Sequence, residues 1–98
     1  MKAAYAKHPG GDLMVVMAQE WDSAGNLVNL SREGHSACGR DYVAECSEPS
    51  AAEKRGLDGM LAGADYAADE LEFVPLADFK REFCSQANSD AEVGTIRP

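Results

Sequence analysis

The stretch that decides the fold is Leu13-Met14-Val15-Val16-Met17-Ala18, which continues through Gln19 and Glu20 to Trp21. Its side chains are apolar at both odd and even positions, so a strand formed here has two apolar faces. Such a strand is typical of the middle of a sheet that is covered on both sides. The apolar run is also far shorter than the roughly 20 residues that a membrane-spanning helix needs. We therefore expect a central strand over residues 13–21 and no membrane span.

Turn-forming segments lie on both sides of this strand. His8-Pro9-Gly10-Gly11-Asp12 precedes it, and Asp22-Ser23-Ala24-Gly25-Asn26 follows it. Proline fixes φ and glycine allows positive φ, so both segments favour reversal of the chain. Short apolar segments lie beyond the turns, at residues 2–7 and 27–30. The sequence therefore predicts three strands in an antiparallel meander, followed by a loop over residues 34–47.

The second half of the chain carries two helix patterns. Ser50 and Glu53 have the spacing of a capping box, which predicts a helix from about Ala51. The apolar residues that follow recur at spacings of three and four: Leu57, Met60, Leu61, Ala64, Ala68 and Leu71. Glycines at 56, 59 and 63 are each less favourable than alanine by about 1 kcal/mol, so we expect a break near Gly63. Pro75 suits the first turn of a second helix, along which Leu76, Phe79 and Phe83 share a face.

These elements predict an α+β fold, in which a three-stranded antiparallel β-meander is followed by two C-terminal helices packed on the sheet. The 98 residues are enough for one hydrophobic core and too few for two. We therefore expect a single domain over residues 1–86. From Ala87 onward the apolar period is lost, which predicts a flexible C-terminal tail over residues 87–98.

The charge of the chain limits its partners. Seventeen acidic residues against nine basic ones give a net charge of −8, most of it in the second half. Binding of nucleic acid depends on Lys and Arg that displace the counterions of phosphates, so direct binding is not expected. A partner protein with a basic surface is the better match, because opposite charges accelerate association.

The acidic residues of the second half are the candidate partner-binding residues. Asp58, Asp65, Asp69, Glu70 and Glu72 lie within fifteen residues that contain no lysine or arginine. If the helix continues, Asp65, Asp69 and Glu72 share one of its faces. The alternative is a solvated surface without a partner, which is the commoner role of such a run.

The sequence therefore predicts a non-catalytic, acidic protein-binding module. In size and charge it is similar to small acidic proteins of phages and mobile elements that inhibit nucleic-acid-binding proteins of the host, the anti-CRISPR and anti-restriction inhibitors. This similarity is one of composition and involves no motif. It implies an acidic face that occupies a basic groove in place of nucleic acid.

An alternative function is that of a small metal-dependent or thiol enzyme that uses His35 and Cys38. Their spacing occurs in one half of many tetrahedral zinc sites, and Cys46 is a third candidate ligand. A second close pair of ligands is missing, and no phosphate-binding loop or nucleophile motif is present, so we expect no cofactor. Three cysteines without a secretory signal predict free thiols in the cytoplasm. The chain is expected to be a monomer or a homodimer.

Overall fold

The computed structural model describes residues 1–64 and 70–84. One sheet contains five strands: β1 (Lys2–Lys7), β2 (Leu13–Glu20), β3 (Leu27–Ser31), β4 (Gly34–Cys38) and β5 (Glu72–Phe73). Within the described ranges there are three helices: α1 (Arg40–Ala44), α2 (Ala51–Gly63) and α3 (Leu76–Phe83). The fold class is therefore α+β, as the sequence predicts.

The strand order in the sheet is β4-β3-β2-β1-β5. β1 to β4 are antiparallel neighbours, and β5 is parallel to β1. Val15 of β2 lies opposite Tyr5 on one side and opposite Leu30 on the other. The predicted central strand is confirmed as β2, and its two apolar faces are buried in clusters on opposite faces of the sheet.

The predicted numbers of strands and helices are both wrong, because most of residues 34–47 forms a strand and a helix and not a loop. Gly34–Cys38 is the strand β4, and residues 40–44 form α1. Gly34 lies opposite Ser31 across a tight hairpin and has a φ of 103°, a conformation that glycine adopts with little strain. Most of β4 is exposed, so its small polar residues lack the apolar alternation that marks a half-buried strand.

The fifth strand was also missed. The sequence predicts an extended link before Pro75, and part of that link, Glu72–Phe73, forms β5. β5 pairs with β1 over only two positions, Lys2 with Glu72 and Ala3 with Phe73. A strand this short has no readable period, and its partner lies at the other end of the described chain.

The sequence predicts one hydrophobic core, but the buried residues form two clusters, one on each face of the sheet. The α3 face carries α1 and α3, and its buried residues are Ala4, Ala6, Met14, Val16, Leu27, Cys38, Val43, Cys46, Leu76, Phe79 and Cys84. The α2 face carries α2, and its buried residues are Ala3, Val15, Met17, Val28, Leu30, Leu57, Leu61 and Leu71. Alternate residues of β1, β2 and β3 therefore supply two different cores.

The helix signals in the sequence are confirmed at the N-termini of α2 and α3. The Ser50 hydroxyl accepts a hydrogen bond from the Glu53 amide, and the Glu53 carboxylate accepts one from the Ser50 amide. Pro75 directly precedes α3, and Phe79 is completely buried. Phe83 is only half-buried.

Two sequence predictions concern regions beyond this description. Ala68 of the predicted apolar stripe and the tail predicted at residues 87–98 lie outside the described residues. Within residues 1–64 and 70–84, no helix combines the length and the apolar character that crossing a membrane requires.

Candidate functional site

The structure separates the predicted partner-binding acids. Asp58 is exposed on α2, Glu70 precedes β5, and Glu72 is exposed on β5. Asp65 and Asp69 lie outside the described residues. The predicted alignment along one helix face does not apply to Glu72, because this residue belongs to a strand.

A cluster of carboxylates nevertheless forms around the β1–β5 edge of the sheet. Glu82 of α3 accepts a hydrogen bond from the Lys2 Nζ atom at 3.0 Å. This bond and the charge of Glu82 raise the pKa of Lys2, and Glu72 and Asp78 add to the shift through their charges. We call Glu72, Asp78 and Glu82 the acidic edge. It combines one residue of β5 with two of α3, and all three are exposed.

Two basic side chains form ion pairs with residues of the acidic edge. Lys2 pairs with Glu82, and Arg81 pairs with Asp78 on the same helix. Both ion pairs are exposed to solvent, where such pairs contribute at most about 1 kcal/mol. The local excess of negative charge is therefore only partly neutralised.

An aromatic pair lies beside the acidic edge on the α2 face. The ring of Phe73 on β5 stacks on that of Tyr5, with centroids 4.4 Å apart. Phe73 remains 37% exposed, one of the few large apolar side chains open to solvent in the described ranges. The Tyr5 hydroxyl donates a hydrogen bond to Asp58. Burial and this bond to a carboxylate raise the pKa of Tyr5 to about 12.

The candidate metal and thiol residues do not form a site in the described ranges. His35 and Cys38 are three positions apart on β4, and residues at odd spacing in a strand point to opposite faces of the sheet. His35 is exposed, whereas Cys38 and Cys46 lie in the core of the α3 face. No three His, Cys, Asp or Glu side chains among residues 1–64 and 70–84 are placed to hold a metal ion.

The cysteines have the properties of structural thiols. Cys38, Cys46 and Cys84 are all free and buried. Burial raises the pKa of each thiol, to about 11 for Cys46. Because the thiolate is the nucleophile, a raised pKa makes a thiol less reactive at neutral pH. Burial therefore makes these three thiols weak nucleophiles at neutral pH.

Sequence reasoning missed the residues that complete the acidic edge. Asp78 and Glu82 lie four positions apart on the exposed side of α3, a spacing that places them on one helix face. That spacing is the signal that could have found them. The approach of Lys2 has no such signal, since it depends on the parallel pairing of β1 with β5.

No protein-family model, no curated protein and no solved structure matches this chain. What the molecule does therefore has to follow from its own residues and their geometry.

Proposed function

We propose that this protein is a non-catalytic binding module whose acidic edge contacts a basic surface of a partner protein. The observation that carries the proposal is that Glu72 lies opposite Lys2 in the β5–β1 pairing and that Glu82 of α3 forms an ion pair with the same lysine. Of the other predicted acids, Asp58 bonds Tyr5 on the α2 face, and the Glu70 carbonyl accepts a hydrogen bond from the Met1 amino group.

The charge balance supports a basic partner. The chain has a net charge of −8, and like charges held close together on its surface repel one another. A basic surface converts that repulsion into attraction and accelerates encounter at low salt. The exposed Phe73 ring adds an apolar contact at the border of the charged area, and aromatic residues of this kind often anchor interfaces.

The partner we favour is a protein whose basic groove otherwise holds nucleic acid. Carboxylates in such a groove take the place of phosphates, so the module acts as an inhibitor that competes with nucleic acid. Function in the cytoplasm belongs to the same proposal, because three free thiols are compatible with a reducing compartment.

The test compares two variants with the same loss of charge. In the edge variant, Glu72→Gln, Asp78→Asn and Glu82→Gln neutralise the acidic edge. In the control variant, Glu20→Gln, Glu33→Gln and Asp41→Asn neutralise three exposed acids elsewhere. Tagged wild type and both variants capture proteins from native cell lysate at low and high salt, and the association rate of each captured protein is then measured.

We expect wild type and the control variant to capture the same basic protein at low salt and the edge variant to lose it. The wild-type association rate should fall steeply as salt shortens the Debye length to less than about 10 Å. A nucleic-acid ligand of the captured protein should compete with the module. Equal capture by both variants would contradict a role for the acidic edge, and binding that is insensitive to salt would contradict the electrostatic basis.

A further inference from the structure

A cleft on the α3 face lies apart from the acidic edge. It has a volume of about 630 Å³ and lies between the β1–β2 turn, the β3–β4 hairpin and α1. Its polar lining includes Asp12, Asn29, Ser31, Arg32, Ser36 and Tyr42. Pockets for small molecules commonly have volumes of roughly 300 to 1,000 Å³, so the cleft is large enough for one.

The floor of the cleft contains a buried amide. Asn29 is only 5% exposed, although it lies on an inner strand whose neighbours Val28 and Leu30 are apolar. Its Oδ1 atom accepts a hydrogen bond at 3.2 Å from the hydroxyl of Ser36, the residue opposite it on β4. Burying an amide is unfavourable unless its hydrogen bonds are satisfied. The sheet therefore positions a polar pair where core packing alone would favour an apolar one.

Hydrogen bonds and ring stacking fix the side chains that form the wall of the cleft. The Tyr42 hydroxyl donates a hydrogen bond to the Asp12 Oδ2 atom at 3.0 Å. The ring of His8 stacks on that of Tyr42, with centroids 3.9 Å apart. The His8 Nε2 atom also lies 3.1 Å from the carboxylate of Glu45. Groups that are held in place before a ligand arrives lose little conformational freedom on binding.

The chemistry of the lining selects among ligand classes. Asp12 and Glu33 repel an anion, and the net charge of the chain adds to that repulsion. Arg32 offsets one of the two carboxylates, and the described residues offer no group of three metal ligands. An apolar ligand would remove water from the charged side chains of Asp12, Arg32 and Glu33 without pairing them.

A neutral ligand rich in hydroxyl groups fits all of these groups. Each hydroxyl can donate to the Asp12 carboxylate and can accept from an amide or hydroxyl of the lining. We propose that this cleft, floored by the Asn29–Ser36 pair and walled by Asp12 and Tyr42, binds a small neutral polyol of the sugar class. This function is separate from partner binding at the acidic edge, and neither proposal depends on the other.

The experiment titrates isotope-labelled protein with four probes and follows its amide signals by NMR. Glucose and maltose represent the proposed class, citrate represents anions and spermidine represents cations. We expect the two sugars to shift the Asn29 side-chain amide and the Ser31 and Ser36 backbone amides with millimolar affinity. Citrate and spermidine should leave these signals unchanged.

Variants then locate the binding. Asp12→Asn removes a charged acceptor, and we expect it to weaken sugar binding about tenfold, the loss associated with one hydrogen bond to a charged group. Ser36→Ala removes the hydroxyl that bonds the Asn29 Oδ1 atom and should weaken binding several-fold. Because Ser36 itself is exposed, the fold should persist with a small loss of stability. Asp78→Asn makes the same chemical change as Asp12→Asn outside the cleft and should leave sugar binding unchanged.

Several outcomes would overturn the proposal. Absence of shifts with either sugar at about 100 mM, an affinity too weak to matter, would overturn it. Cleft shifts caused by citrate or spermidine in place of the sugars would show that the cleft takes a charged ligand. Sugar binding that survives both Asp12→Asn and Ser36→Ala would place the binding site elsewhere. If Asp12→Asn fails to fold, Ser36→Ala alone decides the location.

Discussion

The helices on the two faces of the sheet differ in how much apolar side-chain volume they bury for their length. On the α3 face, a helix of eight residues buries Leu76 and the whole of Phe79. On the α2 face, a helix of 13 residues buries only Leu57 and Leu61 and contains three glycines. The shorter helix therefore contributes more buried apolar volume for each residue that it orders.

The difference teaches that helix length is a poor guide to what holds this molecule together. Ordering a backbone residue costs roughly 1 to 2 kcal/mol of conformational free energy, and burial has to offset it. α2 combines the burial of two leucines with an N-terminal capping box, whereas α3 buries a leucine and the larger phenylalanine. We therefore expect the two faces to respond differently to mutation and to pH.

The largest effect should follow from Phe79→Ala on the α3 face. Removing a completely buried phenylalanine leaves a cavity, so we expect the free energy of unfolding to fall by about 3 to 5 kcal/mol. Chemical denaturation measures this. The matched control is Phe73→Ala, which removes a ring that is 37% exposed and should lose much less. Equal losses would show that α3 does not dominate its face.

A pH effect should come next, and it also belongs to the α3 face. Burial raises the pKa of Cys46 to about 11, whereas an unfolded cysteine titrates near roughly 8.5. The raised value favours the neutral thiol in the folded state, so this stabilisation is complete below about pH 8.5 and is lost as pH rises toward 11. We expect a loss of about 2 to 3 kcal/mol.

The measurement is the free energy of unfolding from pH 8 to pH 11 for wild type and Cys46→Ala. Tyr5, whose pKa burial raises to about 12, affects both proteins equally. Cys46 contributes to the raised pKa of Tyr42, so Tyr42 belongs to the difference between the two proteins. The wild-type curve should therefore fall more steeply than that of the variant. Parallel curves would mean that Cys46 titrates in the folded protein as it does in the unfolded chain.

A smaller loss is expected from Ser50→Ala on the α2 face. This change removes the side chain that accepts a hydrogen bond from the Glu53 amide at 3.1 Å. We expect a loss of about 1 kcal/mol, measured by thermal or chemical denaturation. Ser23→Ala, in the exposed β2–β3 turn, serves as the control and should change stability little. A neutral Ser50→Ala would show that the capping box does not support α2.

The smallest effect should be a gain. No atom lies within 4 Å of a Cβ placed on Gly59, which is in the middle of α2. Gly59→Ala should therefore stabilise the protein by about 0.5 to 1 kcal/mol, because alanine loses less backbone freedom in a helix. Gly34→Ala also meets no atom, but its φ of 103° strains alanine, so it should destabilise. A loss at Gly59 would show that α2 needs this glycine for a contact.

The sequence was informative where a signal is local. The two-sided apolar run at residues 13–18 predicted the inner strand β2, and Ser50 with Glu53 predicted the start of α2. Both signals involve residues close together in the chain, so their physical meaning does not depend on the rest of the fold.

The sequence was uninformative where a feature depends on distant partners. β5 is a strand only because β1 pairs with it, and the acidic edge exists because this pairing brings Glu72 and α3 to Lys2. The polar cleft likewise joins residues from two turns and α1. A single asparagine within the apolar run Leu27–Leu30 was its only local trace.

The parallel pairing of β5 with β1 also has a consequence for synthesis of the chain. It joins segments that are synthesised far apart in time. The hydrogen bond from the Met1 amino group to the Glu70 carbonyl, next to this pairing, spans 69 residues. Strand β2, which carries Met14 and Val16, emerges well before Phe79, which later covers the same face of the sheet. At translation rates of roughly 5 to 20 residues per second, that apolar surface stays open for several seconds. Apolar strand surface that is exposed in this way is prone to aggregate until it is covered.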